Sequence, residues 1–163
     1  MNIMITGCAG FIGNHITQEF INAGYRVIGV DSLTNAGKEE NMSSFIDNAN
    51  FTFIQTNIRA TAAIAHFVKK YRIDWIINLA AETHVDNSIK DCDIFFSTNV
   101  LGVKSLLDVC KDTGVKFFHY STDEVYGVAK DKAFVERSTL SPTNPYSATK
   151  AAAEHAVSAY ANT

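Results

Sequence analysis

Five short apolar runs punctuate the chain: NIMIT at 2–6, RVIGV at 26–30, FTFIQ at 51–55, DWIINLA at 74–80 and KFFHYS at 116–121. Several lack the polar alternation of a strand with one wet face, which is the pattern of strands covered on both sides. Between them lie stretches of helical period. The first, from near Phe11 to Ala23, sets Ile12, Ile16, Phe20 and Ile21 on one face and stops at Gly24. Similar stretches run near 60–71, 91–112 and 145–160, the last opened by Asn144 as N-cap and Pro145 in the first turn. Ser32 to Asn50 is the least regular segment, with a short helix expected around Glu39 to Ile46. Alternating strands and helices imply right-handed crossovers and an α/β fold with a doubly wound parallel sheet in the order 3-2-1-4-5. Strand 116–121 is then an apolar edge without a neighbour.

Composition narrows this picture. At 163 residues and 47% hydrophobic content the chain suits one domain with a continuous core. A net charge of −3 without any Lys/Arg cluster gives no electrostatic footprint for nucleic acid or an anionic membrane. No apolar stretch reaches the roughly 20 residues of a membrane helix, and Met1 leads into NIMIT with no basic segment or cleavage site, so a cytoplasmic location is expected. Cys8, Cys92 and Cys110 lie far apart, as reduced thiols in small packing sites do, and neither they nor the histidines show metal-ligand spacing.

The first candidate chemistry follows the first strand. In GCAGFIG, Gly7, Gly10 and Gly13 form a turn that lets backbone N–H groups and a helix N-terminus approach a pyrophosphate. Glycines alone are weak evidence, but here a strand precedes and an amphipathic helix follows. Asp31 ends the second strand, where a carboxylate can accept both ribose hydroxyls, or else is a plain exposed turn residue. An acid there repels a 2′-phosphate and no arginine follows closely, so the expected cofactor is NAD rather than NADP.

The second lies at the other end. Tyr146 and Lys150 are four apart on one helix face. An ammonium beside a phenol favours the phenolate, so the pair can take a proton from a sugar hydroxyl; the bare spacing also fits a surface pair. Upstream, STDEVYG at 121–127 places two adjacent carboxylates, Asp123 and Glu124, at a strand end.

Together TGCAGFIG, LAAETHVDNSI at 79–89, STDEVYG and SPTNPYSATKAAAEH at 141–155 resemble the extended short-chain dehydrogenases/reductases, and within them the dTDP-glucose 4,6-dehydratase family, over the whole length of the chain. The last two segments are the specific ones. Related epimerases and decarboxylases usually carry a serine pair before V-Y-G and lack the adjacent acids. The resemblance implies a Rossmann-like NAD-binding domain and conversion of dTDP-glucose or UDP-glucose to the 4-keto-6-deoxy sugar nucleotide. It implies that Tyr146, with Lys150, takes the C4 hydroxyl proton while Thr122 bonds the C4 oxygen. Glu124 then takes the C5 proton, and Asp123, kept protonated, serves the departing C6 hydroxyl.

For the cofactor it implies Phe11 and Ile12 with the glycines at the pyrophosphate, and Asp31, Ser32, Leu33 and Thr34 at the adenosine ribose. Asn57 and Ile58 fall at the adenine, Asn57 replacing the family's usual aspartate. Leu79, Ala80, Ala81, Glu82, Thr83 and Thr98 line the cofactor, with Thr83 also near the sugar; Glu82 and His84 fit a capping or packing role equally. Helices near 91–112 and 145–160 form the usual homodimer surface, for which Val103, Leu106 and Val109 are apolar candidates that could also pack on the sheet. Family members are about twice this long, so residues 1–163 are expected to be an incomplete NAD-binding domain, truncated before the sixth strand, with the C-terminal substrate-binding domain absent. An NAD-dependent sugar-nucleotide epimerase or decarboxylase and a silent dinucleotide-binding module are the alternatives.

Overall fold

Asn2–Thr6 (β1), Arg26–Asp31 (β2), Phe51–Gln55 (β3), Trp75–Asn78 (β4) and Lys116–His119 (β5) form one parallel sheet in the order β3-β2-β1-β4-β5, as expected from the alternation. The computed structural model describes residues 1–34, 36–129 and 133–162. The chain divides into two compact units, Met1–Ala80 with Ser105–Tyr120, and Ala81–Lys104 with Ser121–Thr163.

The first unit holds the sheet. Period-two alternation along β1 sends Ile3 and Ile5 to one face and Met4 to the other. On one side Ile3, Ile5, Val27 and Phe51 pack with Ile21 of α1 (Phe11–Asn22) and with Met42 and Phe45 from the irregular segment. On the other, Met4, Ile28, Val30 and Ile76 pack with Ile64 and Val68 of α2 (Thr61–Tyr71) and with Leu106 and Val109. Each such fully buried aliphatic side chain contributes about 1.5–3 kcal/mol. The short helix expected near 39–46 is a 3₁₀ turn, Glu39–Met42, whose Met42 is fully buried. Two strands are shorter than their apolar runs. Leu79 N still makes the ladder bond to the Thr6 carbonyl (3.0 Å), and Ala80 N then turns to the Thr6 hydroxyl (3.4 Å), so regular pairing of β4 ends at Asn78. Among the described residues no strand pairs with the outer edge of β5, and Phe118 and Tyr120 there are 51% and 39% exposed.

The second unit is helical. Val85–Lys90 (α3) and the 3₁₀ turn Asp123–Tyr126 are elements the hydrophobic pattern does not announce. The helix expected over 91–112 is Asp93–Phe95 (α4), a π-helical stretch Phe96–Gly102, and Val103–Thr113 (α5), the last crossing into the first unit. Pro145–Ala161 (α6) starts at Asn144, whose Oδ1 accepts from Ser147 N (2.8 Å) while Ser147 Oγ accepts from Asn144 N (3.3 Å). Leu106 and Val109 lie in the sheet-facing core, so of the uses their apolar faces allowed, sheet packing is the one observed. Among the described residues no helix is long and apolar enough to cross a membrane, and no His/Cys/Asp/Glu cluster could hold a metal ion.

Candidate active site

In the first unit the glycine loop is fixed by three close approaches. Gly7 has φ +74°, and a Cβ on it would lie 2.7 Å from Ala80 N. Gly10 N donates to Gly7 O (3.1 Å), and Gly13, in the first turn of α1, sits so close that a Cβ would fall 1.8 Å from Gly7 O. Only glycine fits, and the result is a bare backbone concavity at a helix N-terminus. Gly10 gives α1 no side-chain cap and the first turn has no acid, so the positive end of the helix is left for an outside anion. Phe11 and Ile12, 78% and 54% exposed, stand beside it.

Asp31 is buried rather than an exposed turn residue. Its Oδ2 accepts from Ala9 N (3.0 Å) and its Oδ1 from Leu33 N (2.9 Å), so the acid ties the end of β2 to the glycine loop. A carboxylate offers about four acceptor positions, and two are left for hydroxyl donors. Ser32 is half-buried, Thr34 is exposed, and Leu33 holds a left-handed backbone (φ 53°). Asn57 Oδ1, the acceptor expected for adenine, is occupied by Arg59 N (2.9 Å) and Arg59 Nε (3.2 Å). Ile58 packs its side chain in the core. Leu79 and Ala80 lie against Gly7, where a larger loop residue would strike them.

In the second unit the sequence segments 122–124 and 146–150 converge. Thr122 caps the 3₁₀ turn, accepting from Glu124 N (3.3 Å), and its side chain also hydrogen-bonds Tyr146. The adjacent acids differ in setting: Asp123 is exposed, whereas Glu124 is half-buried and its Oε2 accepts from Asn144 Nδ2 (2.8 Å). Asn144 therefore joins the acid to the start of the helix that carries Tyr146 and Lys150. Gly127, at φ +86°, allows Ser141 to return against the turn, with Ser141 N donating to Val125 O (2.9 Å).

The acidity of the pair differs from the expectation of a lowered tyrosine pKa. Burial raises Tyr146, the Thr122 bond opposes that, and the charges of Glu124 and Asp123 raise it further. Lys150 is 4% exposed, and burial pulls its pKa down to about 8 against an upward pull from Glu154. The i,i+4 spacing brings the two side chains to one helix face, but the largest influence on the phenol is burial, and it acts upward.

Residues that the sequence did not single out hold this arrangement. Asn99, in the π-helical stretch and 1% exposed, clamps the Glu82 backbone from both sides: Oδ1 accepts from Glu82 N (2.8 Å) and Nδ2 donates to Glu82 O (2.9 Å). The same Nδ2 reaches Thr149 Oγ1 (3.0 Å), and Thr149 Oγ1 donates to Tyr146 O (2.7 Å). Ser88 Oγ accepts from Tyr146 N (3.1 Å). Thus Ala81, Glu82 and the exposed Thr83 and His84 are set by Asn99 and α3, with Thr98 half-buried beside Asn99. A polar residue at a buried helix position is the available signal, and it looks like a solvent-face residue in sequence.

Asn144→Ala removes both the helix cap and the Glu124 partner, and is expected to lower stability by about 1–2 kcal/mol, with Asn144→Ser recovering the cap share in urea unfolding.

The family model described as GDP-mannose 4,6 dehydratase matches residues 4–163. The low-salt glycan biosynthesis protein Agl12 of Haloferax volcanii is 41% identical over 165 residues, covering 100% of this chain and 53% of that protein. A trifunctional UDP-glucose 4,6-dehydratase/UDP-4-keto-6-deoxy-D-glucose 3,5-epimerase/UDP-4-keto-L-rhamnose-reductase of Arabidopsis thaliana is 42% identical, covering 98% of this chain and 25% of its own length. Among solved structures, DesIV, a dTDP-glucose 4,6-dehydratase of Streptomyces venezuelae crystallised with NAD and TYD bound, superposes with a TM-score of 0.96 at 37% identity, over 100% of this chain and 52% of that one. The chain spans between a quarter and about half of the length of these proteins.

Proposed function

Because the chain belongs to the GDP-mannose 4,6 dehydratase family, we propose that it is the NAD-binding half of a sugar-nucleotide 4,6-dehydratase acting on dTDP-glucose or UDP-glucose. The single observation that carries this is the meeting of Thr122, Asp123 and Glu124 with Tyr146 in one unit, all three acting on the tyrosine's acidity. The related epimerases, by the resemblance, usually lack the two adjacent acids.

The first unit fits a dinucleotide, since the loop packs too tightly at Gly7 and Gly13 to admit a Cβ and leads into an uncapped helix end. Asp31, with acceptor positions left after Ala9 and Leu33, suits a ribose diol and disfavours a 2′-phosphate. Bound NAD supplies hydride acceptance at C4 and hydride return at C6. The chain's own residues then carry the protons. Tyr146 takes the proton of the C4 hydroxyl while Thr122 hydrogen-bonds that oxygen, and Lys150 supplies positive charge on the same helix face. A C4 ketone acidifies the C5 hydrogen. Glu124, held by Asn144, takes that proton, the C6–O bond breaks, and the hydroxyl leaves as water with a proton from Asp123. The two acids stand in unlike settings, Asp123 exposed and Glu124 half-buried with Asn144 as its partner.

The same reading makes residues 1–163 one part of a longer protein whose remainder grips the substrate nucleotide. It includes a homodimer through α4 to α5 and α6, supported by Ile94, Phe96 and Leu101, which are 44%, 46% and 59% exposed. Free Cys8, Cys92 and Cys110 suit a reducing compartment, and the cytoplasm is the proposed location.

Calorimetric titration of the 163-residue chain with NAD tests the first half of the proposal: binding is expected, weakened at least about tenfold in Asp31→Ala, equivalent to about 1.4 kcal/mol. The whole gene product tests the second. It is expected to form the 4-keto-6-deoxy sugar, with Glu124→Gln slowing it by about 10²–10⁴-fold; a C4 epimer with no ketone product would overturn it.

A further inference from the structure

Lys150 is 4% exposed and yet belongs to the proposed proton-transfer set. Burial favours the neutral amine, so the site needs something to keep the charge in place. Glu154 lies one helical turn further along α6, on the Lys150 side, and its carboxylate acts on the lysine against burial. It is also tethered: Ser121, the residue before Thr122, donates its hydroxyl to Glu154 Oε1. The segment with Thr122 and Glu124 is thus pinned to α6 twice, by Glu124 at Asn144 near the helix start and by Ser121 at Glu154 one turn beyond Lys150.

Other charged groups stand on the elements that pack against α6. These are Asp86 and Lys90 on α3, Asp93 on α4, and Asp123 and Glu124 on the 3₁₀ turn. The last two bear on Tyr146. At Lys150 the charge that opposes burial is that of Glu154.

We propose that the Ser121–Glu154 pair is a positioning device that keeps the Lys150 ammonium charged on the Tyr146 face of the helix. The purpose of that charge rests on the dehydratase reading; the electrostatic claim stands on the ligand-free chain. Glu154 need touch neither substrate nor cofactor, since it works through the lysine.

The test is the titration of Lys150 in the ligand-free chain by NMR of ¹³C-labelled lysine, its signal identified by loss in Lys150→Arg. The unmodified chain is expected to show a midpoint of about 8. Glu154→Gln is expected to shift it downward by about one unit. Ser121→Ala shifts it less and in the same direction, because the carboxylate remains but is no longer held. Glu154→Asp restores most of the loss. A Glu154→Gln midpoint equal to or above that of the unmodified chain overturns the proposal. Should that variant fail to fold, Ser121→Ala, at an exposed position, carries the same test, with an unmoved midpoint as the overturning result. The NAD titration reads the dehydratase proposal separately, so either can fail without the other.

Discussion

Gly13→Ala is expected to destabilise the chain by about 3 kcal/mol or more, a fall of roughly 6–12 °C in Tm for a chain of this size. The new Cβ would sit 1.8 Å from Gly7 O and 2.7 Å from Gly7 C, both of them backbone atoms. Gly7 cannot retreat. Its N–H donates to Val30 O (2.8 Å), and its own α-carbon faces Ala80 so closely that a Cβ there would lie 2.7 Å from the Ala80 nitrogen. Relief requires opening the turn, which also removes the phosphate cradle, so NAD binding should vanish with the lost stability. Gly24→Ala is the control. It too has a positive φ (+82°), but nothing lies within 4 Å of its Cβ position. It should cost only the left-handed backbone penalty of about 1 kcal/mol. Urea unfolding of the two variants separates collision from conformational strain, and equal losses would refute the close packing of the loop.

Lys150→Met is expected to raise stability at neutral pH while removing function. In the folded chain Lys150 titrates at about 8, against 10.5 for a free lysine. Below pH 8 both folded and unfolded chains hold the proton, and the full cost of a buried ammonium is present. Between about 8 and 10.5 the unfolded chain holds more protons, so that cost fades as pH rises. The shift corresponds to roughly 3 kcal/mol at most. The methionine variant should therefore be the more stable chain below pH 8 by up to that amount, with the gap closing towards pH 10. Burial raises the thiol pKa of Cys8, with Asp31 adding to the effect, and raises Cys110 to about 12, which pulls absolute stability down above the ordinary thiol range. Both cysteines are present in each variant, so they cancel in the difference. A methionine chain less stable than the original at pH 7 would show that the ammonium is a net stabiliser. Stability gained by deleting a working charge is the usual trade at functional sites.

The sheet order and helix positions were legible because parallel strands covered on both faces read as unbroken apolar runs, and glycine or Asn-Pro marks where helices stop or start. The ends of β4 and β5 were not. Leu79 and Ala80 are as apolar as the strand before them, and the turn of Ala80 N to the Thr6 side chain is a tertiary contact that the run does not show. The π-helical stretch was equally hidden, because its sequence continues a helical period. What turns Asn99 inward is the Glu82 backbone seventeen positions away, a partner that no local pattern names. The family resemblance, not spacing, put Thr122, Asp123 and Glu124 with Tyr146, and the direction of the tyrosine's shift depends on burial, which neither reports.

Asp31 bears on how readily this lineage could change its dinucleotide. Exchanging the acid for a residue without a side-chain acceptor would strand the buried amide of Ala9 and that of Leu33, and asparagine would keep an acceptor for only one of them. Leaving two donors unmet costs about 1–3 kcal/mol each. Preference and loop integrity are therefore coupled: a replacement that removes the acid also unsettles the glycine loop unless another acceptor takes up the freed amides.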